Sequence, residues 1–210
     1  MSRVLLDVRD LWAGYGGEAV VRGVSFSVYA GQMVALVGPN GAGKTTIARA
    51  VAGLLAPMRG KIVRHAPIGY VPQHKAVETA FPITLRQFVL TGLYPATGLL
   101  RRLRSDDLED ILARFALSEH ADKTLSQLSG GTLRKAMIAR ALIARPPLLV
   151  LDEPNAELDS DSERELFAIL KSLRDSGVGI LFVSPQRTVV RYANLVLHLH
   201  RGVVVERKDV

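Results

Sequence analysis

The chain has 210 residues, with 27 Lys and Arg against 20 Asp and Glu, a formal net charge of +7, and no cysteine. That length suits one domain, or one domain carrying a sizeable insertion, and 48% hydrophobic with 22% charged residues is a composition able to bury a core. Without cysteine there are no disulfides, zinc–thiolate sites, iron–sulfur clusters or thiol nucleophiles, and no apolar run approaches the ~18 residues of a membrane-spanning helix.

Asp7, Arg9 and Asp10 break any apolar stretch of the kind a signal peptide needs, so a soluble, cytoplasmic chain is expected. Val4–Val8 and Val24–Val28 read as strands; the second alternates with Ser25 and Ser27, as a strand with one wet face does. Met33–Val37 is apolar at every position, the pattern of a strand buried on both faces in a parallel sheet. A helix is predicted over 44–54. From about Gln73 to Arg145 strand candidates are few, helical patterns cover 105–115 and 130–144, and 91–98 is punctuated by Pro and Gly. Strand patterns return at Leu148–Leu151, Ile180–Val183 and Leu195–Leu199, with a helix predicted over 160–175 and a polar end, 206–210, expected to fray. The order predicts a single α/β domain, 1–210, whose core (1–72 and 146–210) is interrupted by a helical subdomain, 73–145.

Gly38-Pro39-Asn40-Gly41-Ala42-Gly43-Lys44-Thr45 has the spacing G-x-x-x-x-G-K-[ST], directly after a strand and before a helix. Glycines let successive backbone N–H groups wrap a phosphate, and the following helix, with Thr46 in its first turn, offers the anion its positive end. Lys44 can reach the β and γ phosphates and the Thr45 hydroxyl can bind Mg²⁺. The motif predicts binding of a nucleoside triphosphate. Leu148–Leu151 ends in Asp152 and Glu153. At a strand's carboxyl end Asp152 can serve the metal, and Glu153 can orient or deprotonate the attacking water.

Leu128-Ser129-Gly130-Gly131, about twenty residues before the acidic strand, completes a set of motifs whose order resembles an ABC-type ATPase over essentially the whole chain. Physically, Ser129, Gly130 and Gly131 form a second anion site, a hydroxyl and bare amides at a helix N-terminus. The resemblance implies a P-loop NTPase-type α/β fold: a mostly parallel sheet with flanking helices, an antiparallel β portion on the N-terminal side and an inserted α-helical subdomain. It implies ATP and Mg²⁺ as cofactors, and a head-to-tail dimer in which Ser129–Gly131 face the γ-phosphate held by the partner's phosphate loop.

By the same resemblance Tyr15 lies where an aromatic stacks on adenine, with Trp12 a poorer candidate and a core aromatic the other reading of either. Gln73 matches the glutamine that reaches Mg²⁺ and the attacking water. Asp159 matches a loop aspartate that communicates across the dimer, although it reads equally as the N-cap of the following helix. Two positions depart from the pattern. Thr132 stands where the family usually has Gln, a modest change. Pro185 stands where it has a histidine contacting the γ-phosphate, and proline offers neither a side-chain donor nor a backbone N–H. Slow hydrolysis, or use of Gln186 instead, is the expectation.

Of His65, His74, His120, His198 and His200, only the last two share a strand face, and no third ligand is evident, so solvated positions are expected rather than a metal pair. Arg101-Arg-Leu-Arg104 reads first as a solvated basic turn and otherwise as a membrane-proximal or partner-facing patch. Residues 77–104, with Phe81-Pro-Ile-Thr84, resemble the stretch that receives a coupling helix in ABC subunits of metal-cation importers. Phe81, Leu85, Phe88, Val89 and Leu93 can supply such a groove, although most of that stripe must be core.

The expectation is an ATP-hydrolysing subunit on the inner face of the cell membrane. It would power import of a metal cation or metal chelate through a separate membrane-spanning permease, with a second ATPase subunit and a substrate-binding protein as further partners. The rivals are a catalytically weakened regulatory subunit and a soluble ABC-type ATPase acting on nucleic acid or ribosomes. The second is disfavoured by the single ATPase unit and the lack of a coiled-coil insertion, so no nucleic-acid partner is expected. The +7 charge is read first as a solvated basic surface; as a sign of a partner it suits an anionic bilayer about as well as a nucleic acid and discriminates little.

Overall fold

The computed structural model describes residues 3–73, 81–93, 105–156, 158–185 and 187–210. The chain opens with a long hairpin. β1 (Val4–Tyr15) and β2 (Glu18–Tyr29) pair antiparallel across Gly16 and Gly17, both at positive φ as a tight two-residue turn requires. β4 (Arg59–Arg64) adds to the other edge of β1, giving a three-stranded antiparallel sheet ordered β2-β1-β4. This is the antiparallel portion expected on the N-terminal side.

The second sheet runs β5-β6-β7-β3-β8-β9, with β3 Met33–Val37, β5 Ile68–Val71, β6 Leu148–Asp152, β7 Gly179–Ser184, β8 Leu195–His200 and β9 Val203–Asp209. β5, β6, β7, β3 and β8 are parallel, and β9 returns antiparallel to β8. β3, β6 and β7 are buried at every position, which is why their sequences do not alternate. One face of this sheet (Val34, Leu36, Val150, Leu181) packs on the first sheet and on helix α1 (Lys44–Ala52) through Ile47, Ala48 and Val51. The other face (Ala35, Val37, Leu149, Leu151, Phe182) packs on α4 (Gly130–Leu142) and α5 (Ser160–Asp175) through Met137, Ile138, Leu166 and Leu170. Each fully buried aliphatic side chain is worth about 1.5–3 kcal/mol of transfer free energy, so these two layers dominate the fold.

Between β5 and β6 every described regular element is helical: α2 (Leu85–Leu90), α3 (Ser105–Arg114), α4 and short 3-10 turns. Thr84 caps α2, its hydroxyl accepting from the Gln87 amide while the Gln87 side chain accepts from the Thr84 amide. Leu85, Phe88, Val89 and Leu93 are buried, whereas Phe81 is 61% exposed. The apolar stripe is thus core except at its first residue. His74, Val77 and the Arg101–Arg104 run lie outside the described residues. Among the described residues no helix is long and apolar enough to cross a membrane.

One expectation is corrected. Residues 206–209, expected to fray, belong to β9, with His198 paired to Glu206 and Leu195 to Asp209. β9 is an edge strand, exposed almost throughout, and its residues 206–209 carry no apolar pattern; backbone pairing with β8 holds them. α5 ends at Asp175 as expected, whereas α1, α3 and α4 stop one or two residues before the expected ends at 54, 115 and 144. α1 stops at Ala52 because Gly53 turns left-handed, φ 82°, and its N–H bonds back to Arg49 and Ala50 carbonyls.

The parallel register sets the position of the site. Val37 pairs with Ser184 and with His198, and Asp152 pairs with Val183. The ends of β3, β6 and β7 therefore lie level, and the loops that follow them meet at the sheet's carboxyl edge, where α/β folds gather ligands.

Candidate functional site

The loop after β3 takes its shape from glycines. Gly43 sits at φ 98°, where a Cβ would come within 2.9 Å of Val21, and a Cβ on Gly38 would lie 2.1 Å from the Leu199 carbonyl oxygen. A side chain at either position would displace the loop. α1 begins directly after Gly43, with Lys44 and Thr45 in its first turn.

Lys44 is only 3% exposed. Its Nζ donates to the Pro39 carbonyl at 3.0 Å and lies 3.8 Å from a Glu153 carboxylate oxygen. Burial holds this amine below the usual lysine range, against the opposing pull of Glu153 and Asp152. The Thr45 hydroxyl donates to Asp152 Oδ1 at 3.0 Å, and the Tyr70 hydroxyl donates to Asp152 Oδ2 at 3.4 Å. Asp152 is 1% exposed, and burial pushes its carboxyl up to about 6, the Thr45 hydrogen bond partly opposing the rise. Burial, followed by the Asp152 charge, pushes Tyr70 up to about 12, so its phenol stays a neutral donor.

Glu153 leaves β6 in the left-handed region, φ 52°, unusual for a residue with a side chain. Its N–H donates to the Val183 carbonyl at 2.9 Å, and its own carbonyl accepts from Arg134 of α4 at 2.9 Å. Arg134 also donates to the Ala156 carbonyl at 2.8 Å.

Of these groups Lys44, Thr45 and Glu153 face one cavity of about 330 Å³, which Tyr15, Val20, Asn40, Gly41, Gly43, Thr46 and Gln73 also line. The fold thus assembles residues from β1, β2, the loop after β3, the end of β5 and the end of β6. Asp152 joins through Thr45. Ala42 is buried within the loop, and Gly38 and Pro39 line a second cavity of about 260 Å³ with Pro185, His198 and His200. Tyr15 is 47% exposed, and its hydroxyl accepts from Arg49 at 3.4 Å. Trp12 is engaged elsewhere, with its indole N–H on Asp10 and Arg59 5.6 Å from its ring centre.

Other sequence-predicted residues do not line the 330 Å³ cavity. Ser129 caps α4: its Oγ accepts from the Thr132 amide at 3.2 Å and lies 2.8 Å from the Thr132 hydroxyl. Ser129 and Gly130 are exposed. Asp159 caps α5 by accepting from the Asp161 and Ser162 amides, and these bonds, above all those from Ser162, hold its carboxyl below the usual range. Gln186 lies outside the described residues. His198 lies 3.7 Å from Glu206, and among the described residues no group of three or more His, Cys, Asp or Glu is placed to hold a metal.

The arrangement suits a polyphosphate: the buried Lys44 ammonium, the glycine-shaped loop and the N-terminus of α1 line one space. Its donors also suit magnesium. The Thr45 hydroxyl and Asp152 carboxylate are hard oxygen ligands already in contact, and Asp152 is a buried acid whose ionised form a cation would favour.

Over residues 21–156 the sequence matches the ABC transporter family. The chain belongs to that family. It is 37% identical over 210 residues to the zinc import ATP-binding protein ZnuC of Alkalilimnicola ehrlichii, covering 98% of this chain and 78% of that protein. It is 40% identical over 187 residues to the protein of the same name from Pseudomonas putida, covering 88% and 70%. Its fold superposes on a solved ATP-binding subunit of an ABC transporter with a TM-score of 0.84 at 29% identity, covering 98% of this chain and 90% of that one. A dimeric ATP-binding cassette bound to ADP and Pi shares the fold, with a TM-score of 0.85 at 22% identity and 98% of both chains covered.

Within this ABC transporter chain, sequence reasoning gave no role to Tyr70, Arg49 or Arg134. Tyr70 stands inside Tyr70-Val-Pro-Gln73, where strand period places it two residues from Pro72 and on the same side, but nothing in the string shows that its hydroxyl meets Asp152. Arg134 falls within the helix predicted over 130–144, and nothing in the string marks its contacts with the turn after β6.

Proposed function

We propose that this chain binds and hydrolyses MgATP and thereby powers import of a metal cation, zinc or a metal chelate, through a separate membrane-spanning permease. The observation that carries this reading is the meeting of Lys44, Thr45, Asp152 and Glu153 at one cavity beside Tyr15 and Gln73. The metal-import part rests on the zinc import ATP-binding proteins to which the chain is similar.

Lys44 and the amides of 40–46 would hold the β and γ phosphates, and Tyr15 would stack on adenine. Thr45 and Asp152 would hold Mg²⁺, with Gln73 alongside; the ion's contribution is to neutralise charge on the transferring phosphoryl group. Glu153 would orient the attacking water and accept its proton, and no covalent intermediate is needed. Ser129, Gly130 and Gly131, which do not line the chain's own 330 Å³ cavity, would close on the γ-phosphate of a second subunit, with Asp159 at the same junction. Two copies would then bury two ATP molecules head-to-tail on the inner face of the membrane, with a substrate-binding protein delivering cargo from outside.

Pro185 supports a second reading, in which turnover is slow because no imidazole stands at the end of β7. Steady-state ATPase of Glu153→Gln tests the activity: loss of turnover with ATP binding retained is expected, and unchanged turnover rejects it. Zinc uptake in cells lacking the gene, with and without the Lys44→Ala variant, tests the cargo.

A further inference from the structure

Glu153 occupies a backbone conformation that a residue with a side chain does not adopt freely, and something must hold it there. The turn that follows is closed by the Ala156 amide on the Glu153 carbonyl at 3.3 Å. It is braced from three elements. Ser184 at the end of β7 donates to Asn155 Oδ1 at 3.2 Å, and Asn155 donates to Glu163 of α5 at 2.8 Å. Arg134 of α4, 4% exposed, spans the turn with one guanidinium, donating to the carbonyls of both Glu153 and Ala156. A planar fork is well matched to this geometry, because one rigid group meets two carbonyls a turn apart with little rotamer freedom left to lose.

Arg134 also lies about a turn and a half beyond Ser129 on the same helix. The main chain of the acidic residue at one nucleotide cavity is therefore bonded directly to the helix whose exposed end carries Ser129, Gly130 and Gly131.

We infer that Arg134 is a positioning residue for hydrolysis, holding the Glu153 main chain so that its carboxylate faces the phosphate cavity and tying it to the helix end that serves the other nucleotide. This rests on the reading of Glu153 as the residue that directs water. Arg134 touches neither nucleotide nor metal in this scheme and acts only through Glu153.

The test is Arg134→Lys and Arg134→Gln in the full chain beside Glu153→Gln, with three readouts: MgATP turnover, equilibrium ATP binding and thermal melting. Lys keeps the charge and Gln a donor, but neither presents the fork to both carbonyls. Turnover is expected to fall about tenfold or more, as a misplaced catalytic group typically costs. ATP affinity should stay within about twofold because Lys44 and the loop are untouched. Turnover within twofold of wild type for both variants, with Glu153→Gln inactive, overturns the inference and leaves the Glu153 reading intact. Parallel losses of turnover, ATP affinity and melting temperature assign Arg134 a merely structural role and also overturn it. Wild-type turnover by Glu153→Gln overturns the Glu153 reading itself, and the inference with it.

Discussion

The Thr45 hydroxyl donates to Asp152 Oδ1 at 3.0 Å, joining the phosphate loop to the end of β6 across 107 residues of sequence. The pair ties the helix that would receive phosphate to the strand that would supply a metal ligand, and it does so inside protein, with Asp152 1% exposed.

That burial fixes a pH dependence. Asp152 is raised from 3.8 to about 6, chiefly by desolvation. Between those values the folded chain binds a proton that the unfolded chain has released, so this residue's contribution to stability falls as pH rises through that window. Above about 6 the full cost of a buried charge is present, on the order of 3 kcal/mol at most. Asp152→Asn removes the charge and keeps an acceptor for Thr45. We expect the variant, free of nucleotide and metal, to melt above wild type at pH 8, and the advantage to vanish toward pH 4. Thermal melts at both pH values check this. Mg²⁺-dependent ATP binding should be lost in the same variant.

Tyr70 offers a finer test. Its hydroxyl donates to Asp152 Oδ2 at 3.4 Å and favours the ionised carboxylate. Tyr70→Phe removes that donor and leaves the ring, so the Asp152 carboxyl should rise further. The acid limb of Mg²⁺-dependent ATP binding should then move to higher pH by less than about one unit, since a single long hydrogen bond is a modest contribution. A shift to lower pH contradicts the assigned bond.

The phosphate loop and the acidic strand were legible because each is a local string whose chemistry needs those residue types in that order. β3, β6 and β7 were legible because strands buried on both faces are written as unbroken apolar runs. β4 and β9 were not: both are edge strands exposed over most of their length, and backbone pairing leaves no mark on side-chain periodicity. The Arg134 and Tyr70 contacts were hidden for another reason. Each joins an ordinary residue to a backbone carbonyl or carboxylate far along the chain, and only the register of the sheet and the docking of α4 create the meeting.

Asp159 separates two roles that one carboxylate can fill. It caps α5 by accepting from the Asp161 and Ser162 amides. Asn caps as well as Asp, whereas Ala does not cap. Asp159→Ala should therefore lower the melting temperature, while Asp159→Asn should leave it near wild type. If the charge also acts across a dimer, Asp159→Asn will reduce MgATP turnover with melting unchanged. Retained turnover in Asp159→Asn would limit the residue to its cap.

Pro185 gives the most direct gain-of-function test. It follows Ser184, which lies level with Val37 at the start of the phosphate loop. It lines a cavity of about 260 Å³ with Gly38, Pro39 and His198, beside the loop that would carry the γ-phosphate. A proline there can donate no hydrogen bond from side chain or backbone, so nothing at that position can hold a phosphate oxygen or an in-line water. Pro185→His supplies a donor in a space that is already open. Turnover of MgATP is expected to rise on the order of tenfold, the scale of one well-placed proton-handling or anion-stabilising group at the low end. The Kd for ATP should change little, because binding is dominated by Lys44 and the loop amides. An unchanged rate would show that another step limits the cycle; a rise in both turnover and affinity would mean that the imidazole stabilises bound ATP as well as the transition state.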